Sequence, residues 1–224
     1  MDYQPLWLTL KLALLTTAGL CLLGIPLAAL LFYSKSRFKS VAEAVISLPL
    51  VLPPSVLGFY LLLAFSPAHW LGSHLMNWFH VQLVFSFTGL VIGSMIYSLP
   101  FMVQPIQAGL ETLPVSLQQA AYTLGKSRWQ TLVHVLLPNI KSALLSGIVL
   151  TFAHTLGEFG LVLMIGGNIP GVSRVASIAI YDAAEALNFH EAHVYSAILL
   201  AVSFTILLVV YTTNRHLFKK RLTA

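Results

Sequence analysis

Gln119-Ala-Ala-Tyr-Thr-Leu-Gly125, followed ten residues later by Val135-Leu-Leu-Pro138, is a polar-edged helix–glycine–helix stretch set inside an otherwise very apolar chain. Leu117, Ala120, Ala121 and Leu124 fall at i, i+3, i+4 and i+7, which makes one apolar helical face. Pro114 suits the first turn of that helix, where its missing N–H costs nothing. Gly125 suits a left-handed helix end. Ser127 and Gln130 form an S-x-x-Q capping box that starts a second helix. Its apolar run continues to Leu137, and Pro138 with Asn139 breaks it. The two alanines leave a face small enough for another backbone to approach closely. On these features alone the stretch reads equally as a docking surface or as a hairpin lying on lipid.

Outward from this stretch the chain is that of an integral membrane protein. Of its 224 residues 58% are hydrophobic and 8% charged, and the mean hydropathy is +0.85. A soluble domain carries about 25% charged residues. The expected architecture is all-α, one domain over residues 1–224, with about five transmembrane helices and a loop at about 112–138. Residues 8–33, 41–65, 83–104, 140–165 and 195–213 are each long enough to cross roughly 30 Å of hydrocarbon at about 20 residues per crossing. Residues 175–187 contain Asp182 and Glu185, and read as an interfacial or re-entrant helix rather than a sixth span. The amino terminus lacks a basic region, so no cleaved signal is expected. The lone cysteine, Cys21, reads as a small buried hydrophobe.

Ten of the twelve basic residues fall on one side of these spans: Lys35, Arg37, Lys39, Lys126, Arg128, Lys141, Arg215, Lys219, Lys220 and Arg221. Lysine and arginine collect on the cytoplasmic side. The amino terminus is therefore expected outside, the carboxyl terminus inside, and the 112–138 loop in the cytoplasm. Topology accounts for all of these charges except Lys126 and Arg128, which sit on the loop itself. Pro49, Pro53 and Pro54 fall in the middle of the second span and must kink or break it. Broken backbone at membrane depth is tolerated only where protein buries it or water reaches it, so this span is expected to border a pathway or an interface. Ser55 can re-satisfy freed backbone groups. Pro100 and Pro105 are expected to bend the exit of the third span. Glu158 is the one acid clearly inside a long apolar segment, and such residues have a job or a partner. Three readings stand: a structural hydrogen-bonder, part of an outer gate, or a proton or cation site. His154, one turn earlier, is either its partner or a packed histidine.

The loop resembles the cytoplasmic signature of ABC importer permeases, E-A-A-x3-G-x9-I-x-L-P. Ala120, Ala121, Gly125, Leu137 and Pro138 match it at the same spacing. Gln119 stands in place of the acid and Val135 in place of the isoleucine. Gln119 thereby lacks the charge with which that position could pair with an ATPase. The 48–55 stretch with Gly58, Thr155-Leu-Gly-Glu-Phe-Gly160 and Asn168-Ile-Pro-Gly171 look like signatures of molybdate transporter permeases, and the resemblance spans roughly residues 40–180. It implies a type I importer fold in the bacterial inner membrane. It implies that Gln119, Ala120, Ala121, Gly125, Lys126, Arg128, Leu137 and Pro138 couple the chain to a cytoplasmic ATP-binding subunit. One coupling loop per chain and two ATPase subunits per transporter imply a homodimer. A periplasmic molybdate-binding protein would deliver the anion, lipid would surround the spans, and ATP and magnesium would be held by the ATPase. Pro53, Pro54, Ser55, His154 and Glu158 are the pathway or gate candidates.

No cofactor, metal, nucleic acid or hydrolytic activity is expected of this chain. Gly166-Gly-Asn-Ile-Pro-Gly171-Val-Ser173 has the spacing of a phosphate loop but carries Val172 where a lysine must reach the phosphates. His190 and His193 are three apart, not four, which is wrong for a zincin helix. Trp7, Trp70, Trp78 and Trp129 read as interfacial anchors. The rivals are a tungstate or sulfate permease, a stand-alone secondary transporter and an intramembrane enzyme. A secondary transporter would show internal repeats and would leave the amphipathic loop unexplained. An enzyme would need a catalytic constellation that the sequence lacks.

Overall fold

The structure is a computed structural model that describes residues 2–222; of 213–222 it describes the backbone alone, so Arg215, Lys219, Lys220 and Arg221 lie outside the described side chains. The described chain is helical, with no strand. In order come α1 (Gln4–Tyr33), α2 (Lys39–Ser47) with a 3-10 turn Leu48–Leu50, α3 (Pro54–Phe65), α4 (Trp70–Phe79), α5 (Phe87–Glu111), α6 (Val115–Thr123), α7 (Arg128–Thr131), a π turn Leu132–Leu136, α8 (Leu137–Asn139), α9 (Lys141–Leu156), α10 (Gly160–Gly166), α11 (Ala176–Glu185) and α12 (Phe189–Leu222).

Three helices are long and apolar enough to cross a membrane unbroken: α1, α5 and the Phe189–Thr212 part of α12. The second expected span is broken as its prolines require. Pro54 pushes the residue before it out of the helical region, and Pro53 accordingly sits at φ −55°, ψ 137°. Lys39–Leu50 and Pro54–Phe65 meet at 109°. Pro26 in α1 and Pro100 and Pro105 in α5 stand alone, and the helices run through them. The helix over the third expected span, 83–104, runs from Phe87 to Glu111: Ser86 caps its start by accepting from the Gly89 N–H at 3.1 Å, and its end passes both prolines.

The fourth expected span, 140–165, is two helices. α9 stops at Leu156, and Gly157, Glu158 and Phe159 separate it from α10. A second bend, of 82°, sets Arg128–Asn139 against α9. Trp70–Phe79, which the sequence marks only by its two tryptophan anchors, is helical. Residues 175–187 hold a ten-residue helix, Ala176–Glu185. At 1.5 Å per residue it spans about 15 Å, half the hydrocarbon core.

Lipid tails are as apolar as leucine, so helices in a membrane associate through close packing and polar bonds. Both are visible. One core gathers Leu8, Leu12, Phe65, Leu90, Leu161 and Ile165; another gathers Leu20, Met102, Ile106, Leu110, Leu132, Leu136 and Ile140. α5 runs through both. Between them lies a buried polar seam of Thr16, Thr17, Ser94, Ser98, Thr151 and Thr155. α5 and α9 run antiparallel across it, since Gly109 lies against Ala143 and Ser98 against Thr155.

Candidate functional site

The site residues named from sequence fall in two places. The first is the hairpin from α6 to α8. Pro114 is its N-cap, one position earlier than expected, and α6 begins at Val115. At the far end the Lys126 N–H donates to the Ala121 carbonyl at 3.1 Å and the Gly125 N–H to the Tyr122 carbonyl at 2.9 Å. These two bonds are a Schellman motif, which needs a left-handed residue at its centre; Gly125 supplies it at φ +76°. Two residues on, the Ser127–Gln130 capping box is made in both directions, at 3.2 and 3.0 Å.

The apolar face read from periodicity is only half turned inward. Ala121 is buried, and Leu117 half-buried, whereas Ala120 is exposed and Leu124 is 78% exposed. Gln119, Arg128 and Trp129 are exposed beside them. Lys126 is half-buried, and among the described residues neither it nor Arg128 forms an ion pair. Leu137 packs on the second core, and Pro138 is exposed within α8. Asn139 closes the hairpin by donating from Nδ2 to the Val135 carbonyl at 2.7 Å. The hairpin thus presents apolar and basic side chains on a stiff two-helix corner.

The second place is where the two broken spans face each other. Pro54 and Ser55 begin α3, and their backbone lies against Gly160 at the start of α10: a Cβ on Gly160 would sit 3.1 Å from Pro54 Cβ and 3.3 Å from the Ser55 nitrogen. Pro54, Ser55, Tyr97, Ala153, His154, Gly157, Glu158, Phe159 and Gly160 line a cavity of about 610 Å³ there. Four of the five gate candidates share this cavity; Pro53 is the α3 N-cap just outside its lining. His154 is not bonded to Glu158. Its Nδ1 lies 2.9 Å from Ser98 Oγ, and its ring sits between Phe101, stacked at 4.0 Å, and Tyr97 at 4.6 Å.

Glu158 is 4% exposed, and neither carboxylate oxygen has a hydrogen-bond partner among the described residues. The Ser94 hydroxyl, on α5, is likewise buried without a hydrogen-bond partner among the described residues. Its backbone carbonyl accepts from Ser177 Oγ at 2.6 Å, which ties the α9–α10 break to α11. Sequence reasoning missed Ser94 and Ser98. The signal was present: hydroxyl residues four apart on an apolar helix mark a polar interhelical seam. The glycine-rich decoy is self-bonded, with Ser173 Oγ donating to the Gly166 carbonyl at 2.5 Å and accepting from the Ile169 N–H at 3.0 Å. No group of three or more His, Cys, Asp or Glu side chains could hold a metal among the described residues.

A corner of this kind on a polytopic helical chain has known relatives. Residues 21–223 match the family model for the binding-protein-dependent transport system inner membrane component. The chain belongs to this family. Among curated relatives, the molybdenum transport system permease protein of Azotobacter vinelandii is 42% identical over 214 residues, 96% of this chain and 95% of that protein. A putative molybdenum transport system permease of Bacillus subtilis is 32% identical over 96% of this chain and 94% of its own length. A probable sulfate transport system permease of Zygnema circumcarinatum is 34% identical over 93% of this chain and 71% of that protein. The fold is that of solved ABC importers: an alginate importer aligns with TM-score 0.75 at 18% identity, covering 96% of this chain and 80% of that one. A methionine ABC transporter aligns with TM-score 0.74 at 15% identity, covering 95% and 94%.

Proposed function

We propose that this chain is the membrane permease of an ATP-driven molybdate importer of the bacterial inner membrane. The observation that carries the reading is the end-to-end identity of 42% with a molybdenum permease. The exposed corner of Ala120, Leu124, Arg128 and Trp129 supports a docking role, because large apolar side chains beside unpaired cations suit a partner's groove. In this reading Gln119, Ala120, Ala121, Gly125, Lys126, Arg128, Leu137 and Pro138 form the coupling element. Each of two copies engages one cytoplasmic ATPase subunit, which alone holds and hydrolyses ATP. The carboxyl terminus and hairpin lie inside and the amino terminus outside.

The second copy faces the side that carries both breaks, so that the two cavities border one anion path. Pro53, Pro54, Ser55, His154 and Glu158 stand at its outer gate. An ionised Glu158 repels a dianion, so it is not a ligand; the bond from Ser177 to its backbone carbonyl helps to hold the α9–α10 break in place. A periplasmic binding protein supplies the tight anion site, and passage through the permease is weak and brief.

The test is ATP hydrolysis and anion uptake by the complex of this chain, its ATPase and its binding protein in liposomes, with molybdate, tungstate and sulfate in turn. Stimulation by molybdate supports the reading. Sulfate alone as the stimulating anion would move the chain to the sulfate permeases, which the 34% relative makes the second reading. Failure of a folded sample to bind any ATPase would return the hairpin to a lipid-surface role.

A further inference from the structure

α2 has no fully buried residue. Ala42 and Ile46 touch the second core, while Val41, at 59%, and Val45, at 64%, are exposed. Apolar packing therefore does little to fix its position. A row of polar contacts to α5 does so instead. Lys39 Nζ lies 3.6 Å from a Glu111 carboxylate oxygen and 3.6 Å from one of Glu43. Gln107 Nε2 donates to Glu43 at 2.5 Å and to Glu111 at 3.3 Å. Gln104 Nε2 donates to Ser47 Oγ at 2.9 Å. Lys39, Glu43 and Ser47 are successive turns of one face, and Glu111, Gln107 and Gln104 answer them in antiparallel order.

Local rules argue against the two end charges. Lys39 is the first residue of α2, and Glu111 is the last residue of α5. A cation at a helix N-terminus and an anion at a C-terminus both oppose the macrodipole. A charge placed against its own helix points to a tertiary demand, and here the two misplaced charges meet each other. Exposed ion pairs contribute little stability singly. One cation against two carboxylates also makes a poor site for an oxyanion. What the ladder has is position. Glu111 is three residues before Pro114, the cap of the coupling hairpin, and α2 leads through Leu48–Leu50 into the 109° break and Pro54.

We propose that the ladder of Lys39, Glu43 and Ser47 with Glu111, Gln107 and Gln104 binds α2 to α5 as one moving body and carries displacement of the hairpin to the Pro53–Pro54 break. Lys39, Glu43, Gln107 and Glu111 are thus positioning residues for transport. This rests on the hairpin being the ATPase contact. Without the ladder, α5 moves with the hairpin while α2 lags, and hydrolysis proceeds without opening the path.

The test uses the reconstituted complex and reads molybdate uptake per ATP hydrolysed. Lys39→Met is expected to co-purify with ATPase as before and to lower that ratio about fivefold, a population shift of roughly 1 kcal/mol. Lys39→Arg and the exchange Lys39→Glu with Glu111→Lys are expected to restore it. In a Cys21→Ala background, a short bifunctional thiol-alkylating linker between Ser47→Cys and Gln104→Cys should leave uptake intact, and in Lys39→Met it should recover the ratio. An unchanged ratio in Lys39→Met with intact assembly overturns the proposal. So does loss of uptake on linking the otherwise native ladder, because it would then have to open in each cycle. Absence of ATPase binding by the wild-type chain instead overturns the coupling reading on which it stands.

Discussion

Gly125 carries a sharp expectation at the scale of single residues. No atom lies within 4 Å of where its Cβ would be, so space does not restrict it. Its φ of +76° does. A left-handed conformation costs an ordinary L-residue about 1–2 kcal/mol, and asparagine tolerates it better than a β-branched side chain. Gly125→Val is expected to leave the spans folded and to abolish ATPase-coupled uptake; Gly125→Asn should keep most of it. Normal coupling in Gly125→Val would refute the role given to the corner. Glu158 gives a second pair. Glu158→Gln keeps the shape and a side chain able to hydrogen-bond, while Glu158→Lys buries an unpaired cation. The glutamine protein should transport and the lysine protein should not, with thermal stability in detergent following the same order. Equal loss in both would mean that the negative charge itself is required. The glycine was legible from sequence because left-handed helix ends have a local signature. The surroundings of Glu158 were not, because Ser94 lies 64 positions away in sequence and belongs to another helix.

Among elements, the breaks matter more than the helices. Paired Pro53 and Pro54 broke the second span as their backbone chemistry requires. The break at Gly157–Phe159 was not readable, since one glycine in an apolar run is usually carried through a helix. The π turn at Leu132–Leu136 had no sequence signal either, and α4 was hidden by an uncharged loop that read only as tryptophan anchors. α3 and α10 meet closely at Gly58, where a Cβ would lie 2.9 Å from Met164 Cβ and 3.1 Å from the Leu161 backbone. Backbone cannot give way as a side-chain tip can. Gly58→Ala is expected to destabilise the protein by about 1–3 kcal/mol, seen as a lower melting temperature in detergent. Uptake should fall further than stability accounts for, because α3 carries Ser55 to the cavity. A melting temperature equal to wild type would show that the two helices separate freely.

For the molecule as a whole, the charge distribution makes a directional claim. In a Cys21→Ala background, a cysteine at Leu124 should react with a membrane-impermeant thiol reagent only in inside-out vesicles, and one at Trp78 only in right-side-out cells. The opposite pattern would invert the chain. The all-α membrane class was legible from hydropathy, because the cost of exposed backbone in hydrocarbon leaves few alternatives. Which helices cover which was not, and α12 shows why: its sequence is as apolar as that of α1, yet among its described side chains only Ala192 and Tyr195 are buried. The corner at Gly125 has a further, mechanical meaning. α6 and α7 are joined by residues 124–127, with backbone bonds locking one side and a reciprocal cap locking the other. Such a joint has no slack. A push on α6 is not absorbed as bending of this connection and passes to α7, so compliance between the corner and α9 belongs to the widened turn Leu132–Leu136 and the 82° bend that follow.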